Sequence, residues 1–309
     1  MNRRFVPGSE PATRSLRNAT VPSAAVVTAS YAPDFERCRL LCETMDQFVT
    51  GSSHHYLLVE SRDVSLFRQL ETKSRTVVDE RDLLPSWLHA WWDPVSLFRR
   101  RIWLSLRTQP LRGWHVQQLR RMAIAAHVGE DLLVYCDSDV AFLRPFDCGV
   151  FWHDGAARLF RRDNALARPV EGDHLTWSRN AGLALGIAEP EISRHDYIAT
   201  LIGWRRDTLV GMCRRIEDVH GRHWVETIGR ARKFSECMLY GRYADEVLGG
   251  DGHFHDDHEF CRVYWSGPAL SDDEFRDFVA GMAPEQVAIG MQSFIGTDLS
   301  RIRRLISRN

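Results

Sequence analysis

The chain has 309 residues, 44% of them hydrophobic, enough to fill a sizeable core, which excludes an intrinsically disordered chain. Its 40 basic and 41 acidic residues nearly cancel, so no bulk charge draws it to nucleic acid, and none is expected as a partner. No apolar run approaches the roughly 20 residues that span a bilayer, no signal-peptide core opens the chain, and its seven cysteines form no C-x-x-C knuckles, so a cytoplasmic location is expected.

Residues 1–22 set Arg3, Arg4, Arg14 and Arg17 against Glu10 alone, with Pro7, Gly8, Pro11 and Pro22 and no apolar periodicity, the composition of a flexible basic arm. Asn18-Ala19-Thr20 has the form of a glycosylation triad, incidental without a secretory signal. A single domain is expected over residues 23–298. It opens with "AAVVTAS", a β-branched run that reads as a strand. Phe35, Cys38, Leu41, Cys42, Met45, Phe48 and Val49 then recur at three and four, the stripe of an amphipathic helix in which the two cysteines are core fillers. "HHYLLVES" reads as a second strand, the segment through Leu66 and Leu70 as amphipathic, and "RTVVDE" as a third strand. Strand alternating with helix predicts a parallel sheet with crossovers on its faces.

Residues 81–112 break the rhythm with Trp87, Trp91, Trp92 and Trp103 beside Arg99-Arg100-Arg101, and read either as a packed insertion or as a surface facing an acceptor or a membrane. "GWHVQQLRRMAIAAHVGE" follows as a helix with Val116, Leu119, Met122, Ala123 and Ala126 on one face, leading directly into a fourth strand, Leu132 to Cys136. The second half is less regular. "HDYIATLIGWRRDTLVGMCRRIEDV" and "RKFSECMLYGRYADEV" read as helices, and Ser271 with Glu274 forms a capping box at the start of another. The last segment, residues 299–309, pairs Leu299, Ile302, Leu305 and Ile306 with Arg301, Arg303, Arg304 and Arg308; it is either a solvated last helix or a peripheral contact with anionic lipid headgroups.

The strongest chemical signal is "LLVYCDSDVAFLRPF", a buried strand that stops at Asp137 and Asp139. Ligands of open parallel sheets bind beyond the carboxyl ends of the strands. Side chains two apart on an extended chain point the same way, and two close carboxylates favour a cation between them. A hard divalent ion, Mn²⁺ or Mg²⁺, suits carboxylate oxygens and leaves positions for substrate phosphates. The plainer reading makes both acids turn or capping residues. In "GGDGHFHDDHEF", alternation sets His253 and His255 on one side of an extended segment, either as further metal ligands or as parts of a polar loop.

"YCDSDVAFLRPF" resembles the D-x-D segment of nucleotide-diphospho-sugar glycosyltransferases of the GT-A type, which often continue with an apolar residue, Arg and Pro. With "GWHVQQLRRMAIA" and "FSECMLYGRY" it is similar, over roughly residues 24–265, to a bacterial glycosyltransferase-like family of unknown function with the pattern G-W-x-x-Q-Q-L, D-x-D and S-E-x-x-L-Y-G. The resemblance implies an α/β, GT-A-like (Rossmann-like) mostly parallel sheet flanked by helices, a single domain with helical insertions. It implies transfer of a sugar from a nucleotide-diphosphate donor, a UDP-sugar first among them, to an envelope glycan, polysaccharide or lipid-linked acceptor. Asp137 and Asp139 would hold the metal that bridges the diphosphate, and His253 or His255 would supply a late histidine ligand. Thr28, Ala29 and Ser30 would lie against base and ribose, and Glu60 would meet the base. Gln117 and Gln118 are candidates for donor contacts or, equally, for capping a helix turn. Glu236, after Ser235 at a helix start, is the first candidate base for the acceptor hydroxyl, with Asp196 second; the plainer reading of Glu236 is dipole complementarity. Arg120 stands where relatives often have lysine and Cys237 where tyrosine is expected. The rival readings are a nucleotidyltransferase, which would favour a Gly-rich lysine-bearing loop that "VVTASYAPDF" lacks, and a non-catalytic sugar-nucleotide or membrane-surface binding protein.

Overall fold

Alternating β-branched runs and amphipathic helices build one mostly parallel sheet. The computed structural model describes residues 22–292 and 295–306. All but Pro22 of the expected basic arm, together with the Asn18 triad, lies outside the described residues. The first half runs β1 (Ala24–Ala29), α1 (Phe35–Phe48), β2 (His54–Val59), β3 (Arg75–Asp79), β4 (His89–Trp92), β5 (Arg101–Leu104), β6 (Leu111–Arg112), α2 (Gly113–Ala123), β7 (Leu132–Tyr135) and β8 (Val140–Phe142). The second runs β9 (Ala156–Phe160), α3 (His174–Leu185), β10 (Ile202–Arg205), α4 (Arg206–His220), α5 (Trp224–Gly229), α6 (Glu236–Arg242), β11 (His253–Asp256), β12 (Cys261–Tyr264), α7 (Asp272–Ala280), β13 (Ala288–Met291) and α8 (Leu299–Ile306).

The central sheet has the order β10-β7-β1-β2-β3, with four parallel strands and β10 antiparallel at one edge. Both of its faces are covered, and the period of two sorts side chains between them. Ala25, Val27, Leu133 and Tyr135 pack against Leu119 and Met122 of α2, Met212 of α4 and Met238 of α6. Ala24, Val26, Leu132 and Val134 face the other way, onto Leu41 and Met45 of α1. Three expected strands and the fourth, the long first helix, the helix from Gly113, and the Ser271–Glu274 capping box are all present.

Two expectations are corrected, at residues 202–205 and at 137–139. The insertion at residues 81–112 is built mainly of strand: after a helical turn at its start, β4, β5 and β6 form an antiparallel meander that carries Trp91, Trp92 and Trp103. Residues 202–205, expected within a helix, are the edge strand β10, because pairing with β7 outweighs a helical spacing that truly begins at Arg206. The acids at 137–139 do sit in a turn, in which the Val140 N–H donates to the Asp137 carbonyl at 3.2 Å, rather than on extended chain. At the end of the described chain, Ile302 of α8 is buried with Leu40, Phe275 and Ile289, while Arg301 pairs with Asp272 and Arg303 with Glu43.

Candidate functional site

The turn Asp137-Ser138-Asp139 leaves the carboxyl end of β7, an inner strand of the sheet next to edge strand β10, and delivers the chain to β8. Its backbone is anchored on both sides: Cys136 N–H donates to Val27 at 3.1 Å and Met291 N–H donates to the Asp139 carbonyl at 3.1 Å. The turn therefore occupies the backbone and leaves the carboxylates to other partners. Burial first, then the charges of Asp137 and Asp34, push the Asp139 carboxyl up to about 7, with Arg37 acting the opposite way.

Asp137 has a cationic partner that sequence reasoning missed. Arg121 of α2 sends Nη1 to Asp137 Oδ1 at 3.3 Å and to Glu236 Oε1 at 3.1 Å, joining an acid at a strand end to an acid at a helix start. Burial disfavours the charged guanidinium, but Glu236 and Asp137 together outweigh it and hold Arg121 more firmly protonated than usual. Its guanidinium also lies 5.0 Å from the Tyr135 ring centroid, and the Tyr135 hydroxyl donates to the Arg121 carbonyl at 2.8 Å. Glu236 opens α6 as expected, with Ser235 as N-cap accepting from Met238 N–H at 3.4 Å. Burial pushes the Glu236 carboxyl up, against the pull of Arg121.

Gln118, three residues before Arg121 and so on the same face of α2, accepts the Glu236 N–H at 3.0 Å. Its Oε1 thus caps the neighbouring helix, while its Nε2 donates to the Trp114 carbonyl of its own at 3.4 Å. Gln117, half-buried on the same helix, has no such role. A glutamine and an arginine at i and i+3 within a buried stripe were the one available signal that α2 serves a polar site.

The other expected donor contacts lie at the ends of β1 and β2. Thr28 is fully buried, and its hydroxyl meets His55 Nε2 at 3.0 Å; since Arg75 Nε donates to His55 Nδ1 at 3.0 Å, Nε2 carries the proton and donates to Thr28. This chain of bonds turns Thr28 into the sheet. Ala29 and Ser30 are buried beside it, with Ser30 N–H donating to Leu58 at 3.0 Å. Glu60 accepts from Arg62 Nε at 2.8 Å and lines a cavity of about 390 Å³ with Glu80, His89, Arg101 and Trp103. Behind it, Glu80 Oε2 and Arg120 Nη1 stand 3.9 Å apart, both buried and without a hydrogen-bond partner among the described residues. Burial pushes the Glu80 carboxyl up to about 7, and Arg120 only partly offsets this.

The remaining candidates are engaged elsewhere. Asp196 is buried, with Oδ2 accepting from Arg162 at 3.0 Å and Oδ1 from Ile198 N–H at 3.2 Å. His253 Nε2 meets the Tyr240 hydroxyl at 2.8 Å and its Nδ1 meets the Asp251 carbonyl at 2.9 Å; His255 Nε2 meets Asp245 at 2.6 Å. Both histidines lie on β11, as the alternation required, but neither joins the two aspartates as a third ligand: among the described residues, only Asp256, Asp257 and His258 bring three such atoms within 4.8 Å.

The fold and the site define an α/β protein whose mostly parallel sheet carries, at its carboxyl edge, a half-buried acidic turn bridged by arginine to a helix N-terminus. Residues 20–280 match the profile of a family of unknown function, DUF6492, and the chain belongs to that family. No curated protein matches it.

Proposed function

We propose that the chain is a GT-A-like, metal-dependent glycosyltransferase that moves a sugar from a nucleotide-diphosphate donor to an envelope glycan, polysaccharide or lipid-linked acceptor. One observation carries the reading: Asp137 and Glu236 share the buried guanidinium of Arg121, with Asp139 two residues away in the same turn. Two hard carboxylate ligands in one short turn, their charge only partly met by arginine, are the donor set that Mn²⁺ or Mg²⁺ takes. Asp137 and Asp139 would hold the ion. When bound, it would neutralise the charge that builds on a departing diphosphate.

Glu236 is the better of the two candidate bases. It shares Arg121 with Asp137 beside the acidic turn, and burial pushes its carboxyl up, whereas Asp196 is bonded to Arg162 and the Ile198 N–H. Arg121 orients Glu236 and fixes its distance from the acidic turn, and Gln118 holds the first N–H of α6 in place. The cavity beside Glu60, at the ends of β2 and β3, is wide enough for a nucleobase.

The test is a panel of UDP-, GDP- and CMP-sugars with Mn²⁺ or Mg²⁺, read by thermal shift and by donor turnover. A response to one donor that needs the metal supports the reading, and Asp139→Ala should then lower turnover by about 10²–10³. Silence toward every donor, with and without metal, overturns it.

A further inference from the structure

We propose that the outer end of the meander, residues 91–100, is a membrane-docking tip that inserts into an anionic phospholipid surface. Val95 is 81% exposed, Leu97 75% and Phe98 63%. Side chains that bare stand on a projection, and no groove encloses them. Trp91 and Trp92, also exposed, lie just behind the tip on β4, the position in which indole rings seat at the level of lipid headgroups. A convex tip of a few apolar side chains suits insertion between lipids better than a flat protein interface of about 800 Å² per partner.

The backbone of the tip is built for an apolar medium, where an unmet N–H costs several kcal/mol. Every N–H from Val95 to Arg100 has an acceptor within the tip itself. Buried Asp93 takes Val95 on its carboxylate at 3.0 Å, and Ser96 and Phe98 on its carbonyl at 3.2 and 3.0 Å. The Pro94 carbonyl takes Leu97 at 3.0 Å, the Ser96 carbonyl takes Arg99 at 3.2 Å, and the Ser96 hydroxyl takes Arg100 at 2.9 Å. Leu97 and Phe98 both adopt left-handed backbone, with φ of 53° and 60°, a conformation unfavourable for non-glycine residues. Asp93 and Ser96 hold that conformation, and the result is two large apolar side chains turned outward.

Charge identifies the surface. From 91 to 101 the sequence holds Arg99, Arg100 and Arg101 against Asp93 alone, and Asp93 is turned inside. Arg99 and Arg100 directly follow the apolar tip and are exposed, placed to reach phosphate groups while their stems lie along the acyl boundary. His89, Ala90, Arg101 and Trp103 of the same meander line the cavity beside Glu60, so docking would hold that cavity against the membrane. The inference stands whether or not the chain transfers sugar.

Full-length protein is sedimented with vesicles of phosphatidylcholine alone or mixed with phosphatidylglycerol. Pelleting with the anionic vesicles at low salt, weakened by added salt, is expected. Leu97→Ser/Phe98→Ser should lower partitioning about tenfold or more, and Arg99→Ala/Arg100→Ala should lower the preference for phosphatidylglycerol, with thermal unfolding unchanged in both because all four side chains are exposed. Val95→Ser is a milder second variant and should give an intermediate loss. Wild type that stays in the supernatant with both vesicles, or a Leu97/Phe98 variant that pellets as wild type does, overturns the proposal. Self-association that the same variant abolishes, in a protein no vesicle binds, gives the tip to a second copy of the chain instead.

Discussion

Arg121 is one side chain answering two acids from different parts of the chain. Its removal in Arg121→Ala would leave Glu236 buried and unpaired, and the expected loss is about 3–5 kcal/mol in urea unfolding. Arg121→Lys, a point charge in place of a fork, should fall between the two. Glu80 makes a second test, one of pH. Its folded pKa of about 7 stands above the ordinary value near 4.5, so the folded state keeps a proton the unfolded chain releases, and stability attached to this group falls as pH rises from about 4.5 to 7. The effect is on the order of 3 kcal/mol. Glu80→Gln removes it: the difference in unfolding free energy between variant and wild type should grow in favour of the variant over that window and stay level above it. At this scale, the sequence revealed what is contiguous. Asp137 and Asp139 advertise themselves by interrupting an apolar run, and Ser235-Glu236 by cap chemistry within one turn. Arg121 and Glu80 read as ordinary surface charges, because only pairing with residues 16 to 115 positions away makes them buried site groups.

Among elements, α6 is the most tightly held. A Cβ added at Gly241 would stand 2.1 Å from the Tyr197 ring, which cannot swing aside because its hydroxyl donates to Asp245 at 2.8 Å. Gly241→Ala should therefore destabilise by about 1–3 kcal/mol in chemical denaturation and disturb the N-terminus that presents Glu236. The helices α1, α2, α6 and α7 were legible because their apolar stripes or caps are local. Of the strands of the second half, only β11 was, through the alternation of His253 and His255. β9 and β12 are four or five residues long and carry charges such as Arg158, which reads as solvated yet is 2% exposed, with its Nε on Asp256 at 2.8 Å and its guanidinium 4.3 Å from the Phe260 ring centroid. No periodicity announces a strand whose central side chain is a buried arginine.

For the molecule as a whole, α8 closes the structure by covering the outer face of α1 and β13. Ile302→Ala should cost about 2–4 kcal/mol, measured as a lower midpoint in guanidinium with an unchanged slope, since the helix belongs to the same core. The reversed direction of β10 has its own effect on what this architecture permits. Ile202 at its start lies opposite Tyr135, so the chain comes into that strand over the rim where Asp137 begins, and Asp196 on the incoming segment is close enough to act electrostatically on Cys237, next to Glu236. Residues 161–201 thus reach the rim as a segment bound into the fold, with Leu166, Ala181, Leu185 and Tyr197 in the central core and Arg242 donating to the carbonyls of Ser178, Pro190 and Glu191. Any change of length there has to keep that anchorage, so the antiparallel edge strand couples the surroundings of the acidic turn to the core of the molecule.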